Sequence, residues 1–420
     1  MLASNRGPKA LRADSSSSFD ADTLAPRARS VTSLRRPLPS GPALLPPRIA
    51  SYLATAELPS PCLVVDLTVV ERQYVDLARA FPAARVFYAV KANPDDAILA
   101  SLTKLGSCFD AASIGEVDMC LKHGVQPDQI SYGNTIKKQS DIAAAYARGV
   151  RLFAFDCIGE LEKLAVAAPG SKVFCRILTN NEGAEWPLSR KFGCEPAMAI
   201  DLLARAKTMG LDPYGISFHV GSQQLDPAQF DVALATTAEI FGALAERGVA
   251  LRMINVGGGF PSRYLRDVPP IEDYAAAIDR SLRKHFPQGA PEVIVEPGRY
   301  IVGDAGVLQA EVILVSDKGG TDRRPWVYLD VGKFHGLAET MDEAIKYRIV
   351  TLRDGDEKVP VILAGPTCDS ADTLYEKSIY RLPTTLKPGD KVWILSTGAY
   401  TTTYSSVAFN GLPPLASVCI

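Results

Sequence analysis

The stretch Val86-Phe-Tyr-Ala-Val-Lys91-Ala-Asn-Pro94 sets a lysine directly behind a continuous apolar run. A short run of this kind, β-branched and aromatic, reads as a strand buried on both faces, and Pro94 blocks its extension. An ammonium at the end of a buried strand is costly to desolvate unless chemistry uses it, and burial lowers its pKa toward a nucleophilic amine. Lys91 is therefore a candidate Schiff-base lysine. The ordinary alternative is a strand-terminal lysine that snorkels to solvent.

Seven further apolar runs follow at intervals filled by helix-like stretches: Cys108 to Ala111, Ile130 to Tyr132, Leu152 to Phe155, Lys172 to Leu178, Gly215 to Val220, Met253 to Val256 and Glu292 to Val295. Strand and helix patterns in alternation build a parallel sheet. Eight such units in roughly 215 residues match a (β/α)8 TIM barrel, whose reacting groups gather at the carboxyl ends of its strands. Each run does end in polar or glycine-rich chemistry: Lys91, Asp110, Asn134, Asp156, Arg176, His219 to Ser222, Gly257 to Gly259, and Glu296 to Arg299.

The barrel is expected over residues 67–302. From 303 to 420 the texture changes to closely spaced strands with turns such as Lys318-Gly-Gly320 and Lys387-Pro-Gly-Asp390. This predicts a mainly antiparallel β domain, a sandwich or small barrel. Residues 49–66, with Pro61-Cys-Leu-Val-Val-Asp66, read as a strand region that pairs with that β domain.

Asn255-Val-Gly-Gly-Gly259-Phe-Pro261 follows a strand and is short on side chains, so its backbone N–H groups can approach a phosphate closely; tight turns use the same residues. Glu296-Pro-Gly298-Arg299-Tyr300 closes the last strand. Barrels commonly build a phosphate site from the loops after strands seven and eight, where these two segments fall. A phosphate clamp and a strand-end lysine in one barrel mouth suggest pyridoxal phosphate, with Lys91 as imine partner, Glu296 beside the pyridine nitrogen and His219 stacked on the ring. Taken alone, His219 reads as a satisfied core histidine.

Tyr88-Ala-Val-Lys91-Ala-Asn93, Phe109-Asp110-Ala-Ala-Ser113, Ser217-Phe-His219-Val-Gly-Ser222, Gly257-Gly-Gly-Phe-Pro261, Glu296-Pro-Gly-Arg299-Tyr300, Gly365-Pro-Thr-Cys368-Asp369 and Gly398-Ala-Tyr400-Thr401 together resemble the ornithine/lysine decarboxylase family of fold type III pyridoxal phosphate enzymes. The resemblance runs from about residue 50 to the C-terminus. It implies that Lys91 binds the cofactor covalently, that Asp110 and Arg176 shape its pocket, and that His219 stacks on the ring. Ser222, Gly258, Gly259, Gly298, Arg299 and Tyr400 would hold the phosphate, and Glu296 would pair with the pyridine nitrogen. Cys368 would deliver a proton to the α carbon, and Cys368 and Asp369 would reach the cofactor of the other subunit. The active unit is then a homodimer with shared sites.

The same resemblance implies decarboxylation of L-ornithine to putrescine in polyamine biosynthesis, with L-lysine to cadaverine as a second activity. Asp369, Asp330, Cys368 and Phe409 form the expected substrate set. Asp369 would meet a distal ammonium and repel a distal carboxylate. Diaminopimelate decarboxylases, similar in the barrel, usually carry a glutamate after that cysteine. In Tyr328-Leu-Asp330-Val-Gly-Lys333 the acid stands one position earlier than in eukaryotic ornithine enzymes, so Asp330 substitutes for it or points elsewhere. A longer pocket would admit lysine, because one methylene is worth only about 1–3 kcal/mol of discrimination. The remaining alternatives are another basic amino-acid decarboxylase and a non-catalytic regulatory relative. A racemase fits less well, since those enzymes place an arginine near the pyridine nitrogen.

The 420 residues are 47% hydrophobic and 22% charged, with net charge -2. That balance suits one large and one smaller core and gives no electrostatic reason to bind nucleic acid or a membrane. The eight cysteines contain no CxxC pair, so neither a metal site nor a disulfide framework is expected, and a reducing cytoplasmic setting is. No apolar run approaches the ~20 residues of a spanning helix. Residues 1–48, rich in Ser, Pro, Arg and Ala, read as a disordered tail rather than a transit peptide, since Asp14, Asp20 and Asp22 interrupt the basic bias.

Overall fold

The computed structural model of the protein describes residues 45–188 and 191–420. Up to residue 44, the expected tail lies outside the described residues. Its last residues do not behave as one: Leu45 and Ile49 are buried against Val64, Val307, Val350 and Leu395, and a helix already starts at Pro47. Arg48 also reaches Asp66, at 3.7 Å. The boundary expected at 48 therefore falls inside an element anchored by apolar contacts.

Strand β1 (Cys62–Val65) precedes the barrel. The staves are β2 (Ala84–Ala89), β3 (Cys108–Ala111), β4 (Ile130–Tyr132), β5 (Leu152–Phe155) and β6 (Lys172–Arg176); after β7 (Ala184–Trp186) come β8 (Asp212–Ser217), then β9 (Ser222–Gln224), β10 (Met253–Asn255) and β11 (Glu292–Val295). A closed parallel barrel results, in the order β10-β11-β2-β3-β4-β5-β6-β8, while β7 and β9 form a small antiparallel pair over its mouth. All eight runs read from the sequence became staves.

Helices fill the intervals because their apolar faces recur at helical spacing. The helix Leu67–Ala80 starts at Asp66, whose carboxylate accepts the Thr68 N–H at 2.9 Å, and it buries Val70, Tyr74 and Leu77. Inside the barrel, Phe87, Cys108, Leu152, Ala154, Phe174, Met253 and Ile294 close one apolar cluster. Side chains on a strand alternate between its faces, so the residue two positions after each of these also belongs to the inner face. Cys108 is thus followed by Asp110, Phe174 by Arg176, Met253 by Asn255 and Ile294 by Glu296. One apolar layer supports one polar layer, which faces the mouth.

The second domain comprises β12 (Gly306–Ser316), β13 (Trp326–Leu329), β14 (Ile349–Thr351), β15 (Lys358–Ala364), β16 (Thr373–Pro383), β17 (Lys391–Leu395) and β18 (Ala416–Cys419). Its order is β14-β17-β12-β13-β15-β16. The sheet curls at β12, where the register slips between Val312 and Leu314, as expected of a bulge. Pairing is mostly antiparallel, with β13–β15 and β1–β18 the parallel exceptions. β1 pairs with β12 from Cys62↔Gln309 to Val65↔Gly306, so the segment before the barrel is stitched into the β domain.

Candidate active site

Lys91 stands in a single 3-10 turn, Val90–Ala92, at the carboxyl end of β2. The β domain holds this turn in place. Tyr400 N–H donates to Ala92 O at 2.8 Å, Asn93 Nδ2 to Gly398 O at 2.9 Å, and the Thr403 hydroxyl to Lys91 O at 3.1 Å. Tyr400 needs a left-handed backbone (φ 60°) to make its contact, and these hydrogen bonds to the lysine turn hold it there.

The Lys91 side chain is 49% exposed, and its ammonium lies 3.8 Å from the buried Asp110 carboxylate. Desolvation pulls its pKa down, but Asp110, then Tyr400 and Glu296, more than offset that, so it lies above the ordinary lysine value. This corrects the expectation of a buried, depressed amine. Inner-face acids at the ends of neighbouring strands set the charge state, an effect that the β2 sequence does not contain.

Asp110 lies well above the usual carboxylate range because it is buried and faces Glu296. Its Oδ1 is buried without a hydrogen-bond partner. A Cβ at Gly133 would sit 2.0 Å from that oxygen. Gly133→Ala is therefore expected to displace Asp110 and cost about 1–3 kcal/mol, checked by denaturant unfolding, together with weakened cofactor binding. An unchanged midpoint and affinity would contradict it.

Glu296 follows β11, and its Oε1 accepts from Asn255 Nδ2 at 2.5 Å. Asn255 Oδ1 in turn accepts the Gly257 N–H at 2.9 Å, so the glycine triplet orients the carboxylate through one amide. A Cβ at Gly258 would lie 2.5 Å from Glu296 O and 3.5 Å from His219 Nε2; one at Gly259 would lie 2.5 Å from Gly221 O. No side chain fits there. His219 Nδ1 accepts the Gly221 N–H at 3.0 Å, which places its proton on Nε2. Burial, then the Arg176 and Lys91 charges, hold its pKa well below the ordinary imidazole value, so the ring is neutral. Arg176 ends β6, with its pKa lowered by burial, and its guanidinium lies 5.4 Å from the Phe192 ring.

A cavity of about 240 Å³ opens here, lined by Lys91, His219, Ser222, Gly259, Glu296, Gly298, Arg299 and Tyr400 of the expected set, while Asp110, Arg176 and Gly258 are not among its lining residues. It also takes in Trp186, Leu188, Glu339 and Tyr404, which the sequence reading missed. Arg299 is buried, and its guanidinium is held bidentately by Glu339, at 2.5 and 2.7 Å. Breaking such a pair leaves an uncompensated buried charge, at a cost of about 3–5 kcal/mol.

Cys368 and Asp369 lie elsewhere, on the loop between β15 and β16, in a separate exposed cleft with Trp326, Tyr328 and Thr373. Cys368 N–H donates to Asn410 Oδ1 at 3.1 Å, and Asn410 Nδ2 to the sulfur at 3.4 Å. Among the described residues, no ion pair involves Asp369. Phe409 packs its ring 5.0 Å from Phe334, beside the same loop. A single chain therefore does not unite Lys91 with Cys368.

Of the two outcomes expected for Asp330, a substrate contact or a side chain that points elsewhere, the structure shows one carboxylate oxygen engaged in the sheet: its Oδ1 accepts the Glu311 N–H at 2.8 Å, just past the end of β13.

These residues fit pyridoxal phosphate. A primary amine faces a carboxylate, a second carboxylate is fixed by an amide, a buried acceptor lacks a donor, and a side-chain-free glycine cradle adjoins an arginine and two hydroxyls. A family model described as pyridoxal-dependent decarboxylase, pyridoxal binding domain, matches residues 67–303. The chain is 38% identical to a lysine/ornithine decarboxylase of Selenomonas ruminantium, over 84% of this chain and 88% of that protein. It is 33% identical to an ornithine decarboxylase of Schizosaccharomyces pombe, over 83% and 80%. The crystal structure of a lysine decarboxylase from Selenomonas ruminantium superposes with a TM-score of 0.80 at 36% identity, covering 90% of this chain and 96% of that one. A lysine/ornithine decarboxylase from Vibrio vulnificus complexed with putrescine gives 0.77 at 32%, covering 89% and 97%. A barrel mouth with this donor set, matched by that family model and by relatives over most of their length, establishes that the chain belongs to the family of pyridoxal-dependent decarboxylases.

Proposed function

We propose that this protein decarboxylates L-ornithine to putrescine, and L-lysine to cadaverine as a second activity, as a cytoplasmic homodimer that serves polyamine formation. The observation that carries the reading is the separation of two half-sites on one chain: the amine and its acids in the barrel mouth, the thiol and the Asp369 carboxylate on an exposed loop of the β domain. A two-fold dimer completes both sites at once, since each loop meets the partner's mouth.

Lys91 would hold the cofactor through its amine. Bound there, pyridoxal phosphate supplies the electron sink for the pair left when CO2 departs. Glu296, oriented by Asn255, keeps a proton on the pyridine nitrogen, and neutral His219 presents a flat face to the ring. Gly259, Gly298, Ser222, Arg299 and Tyr400 would hold the phosphate, and Gly258, having no Cβ, lets the backbone approach Glu296 and His219. Asp110 and Arg176 set the charge around Lys91. Cys368 of one subunit donates a proton to the α carbon of substrate held by the other. Asp369 pairs with the distal ammonium, where a distal carboxylate would be repelled.

Selection of the diamino acids over diaminopimelate is supported by the substrates named for the relatives and by Asp369, which accepts the Ala371 N–H but enters no ion pair among the described residues; arginine, the substrate named for a further similar structure, is the remaining competitor. Asp330, occupied in its own sheet, does not shorten the pocket, which favours dual use. The cytoplasmic setting is supported by eight free cysteines, among them Cys175 and Cys194 with sulfurs 3.5 Å apart and no bond between them. Among the described residues no helix is long and apolar enough to cross a membrane.

Comparison of kcat/KM on the four amino acids tests the reading. Ornithine and lysine are expected within about 200-fold of one another, the span that one methylene allows, with diaminopimelate far below both. Preferential turnover of diaminopimelate would overturn it.

A further inference from the structure

Every N–H of the Arg299 guanidinium is engaged. Nη1 donates to Tyr264 Oη at 2.6 Å and Glu339 Oε2 at 2.7 Å; Nη2 donates to Glu339 Oε1 at 2.5 Å and Ser222 Oγ at 3.0 Å; Nε also reaches Ser222 Oγ, at 3.3 Å. Glu339 comes from the β domain, on the 3-10 segment Ala338–Glu343, and is buried while it lines the barrel cavity. Its carboxylate takes the edge formed by the two terminal nitrogens, in the fork-to-fork geometry that fixes a guanidinium plane. The opposite edge can then face only Ser222. Because Ser222 Oγ accepts from Arg299, its own hydrogen is free to donate into the cavity.

We propose that Glu339 is a positioning residue for the cofactor phosphate: by gripping the terminal nitrogens of Arg299, it turns the Nε edge onto Ser222 Oγ, so that the Ser222 hydroxyl is left to donate its hydrogen to the anion. The inference rests on the reading that places the phosphate beside Arg299, Ser222 and Gly259. A carboxylate near a dianion carries an electrostatic cost, so a charge effect alone predicts that removing Glu339 tightens phosphate binding. A pin between the domains with no part in the site predicts no preference between ligands. Positioning alone predicts a loss confined to the ligand that bears a phosphate.

The test is titration of the full-length protein with pyridoxal phosphate and with pyridoxal, which lacks the phosphate. Glu339→Gln keeps the shape and one acceptor but loses the symmetric grip. It is expected to weaken pyridoxal phosphate binding by about tenfold or more, the size of a disturbed hydrogen bond to a charged group, and to change pyridoxal binding less than about twofold. Ser222→Ala should cost less in the Glu339→Gln background than in the native one, since both act through one guanidinium. Equal losses for both ligands, tighter binding of the phosphate ester, or strictly additive losses would each overturn the proposal. Should Glu339→Gln fail to fold, Glu339→Asp keeps the charge but shortens the reach, and a loss specific to pyridoxal phosphate is again the supporting result. If the native protein itself does not distinguish the two ligands, the placement of the phosphate fails before the role of Glu339 is reached.

Discussion

Lys91→Ala is expected to lose the visible absorbance of bound cofactor and to lower kcat by on the order of a thousandfold or more, because among the described residues no other amine lines the cavity to form the covalent bond. Loss of the ammonium also removes the nearest cation from Asp110, whose pKa is already raised by burial and by Glu296. The Asp110 carboxyl should therefore take up a proton more readily, and the variant should show no compensating gain in cofactor affinity. Difference absorbance spectra and single-turnover assays read both effects. An intact absorbance band in the variant would assign the cofactor to another lysine; Lys137 is a poor rival, since its ammonium is enclosed by Asn134 O, Ala154 O and Glu160.

The second large effect is complementation. Cys368→Ala subunits should release mostly aldehyde in place of diamine, because the α carbon loses its proton donor and protonation goes astray; a general acid of this kind contributes about a hundredfold to ten-thousandfold. Lys91→Ala subunits should be inactive. If each barrel mouth is completed by the other chain's Cys368 loop, equal mixing and re-pairing puts half of the subunits into mixed dimers, each with one intact site of two. About a quarter of the native diamine-forming activity should then return. Mixing that restores nothing, although mass analysis shows mixed dimers, would confine each site to one chain.

Both expectations trace to how the residues are distributed along the chain. The barrel was legible because alternation is local: an apolar inner residue supports the next inner residue two positions on, which faces the mouth. Cys108 and Asp110, Phe174 and Arg176, and Ile294 and Glu296 each repeat this step, so strand ends and site residues could be read together. The glycine triplet was legible as a place of close approach. That its work includes holding Asn255 against Glu296 was not, because this depends on which side of a turn an amide points.

What escaped the sequence reading joins segments far apart. Glu339 lies 40 positions from Arg299, in a 3-10 stretch with no periodic signal. Thr403 lies 312 positions from Lys91, whose carbonyl it binds. Gly133 carries no signal in the sequence, yet Asp110 fills the space where its Cβ would stand. Asp330 entered the expected substrate set on the resemblance; that its carboxylate accepts the Glu311 N–H depends on how β12 pairs with β13.

The sequence by itself determined the eight-stave barrel, the β domain after it, the family and most of the groups that line the cavity in the barrel mouth, since hydrophobic period and strand-end chemistry are properties of short segments. Only the tertiary structure decided the charge state of Lys91, the commitment of Arg299 to Glu339, the engagement of Asp330 with Glu311 and the distance of Cys368 from the mouth of its own barrel. Those outcomes depend on which distant groups are brought within a few ångströms of one another, where desolvation and Coulomb energies act, and no local pattern encodes that.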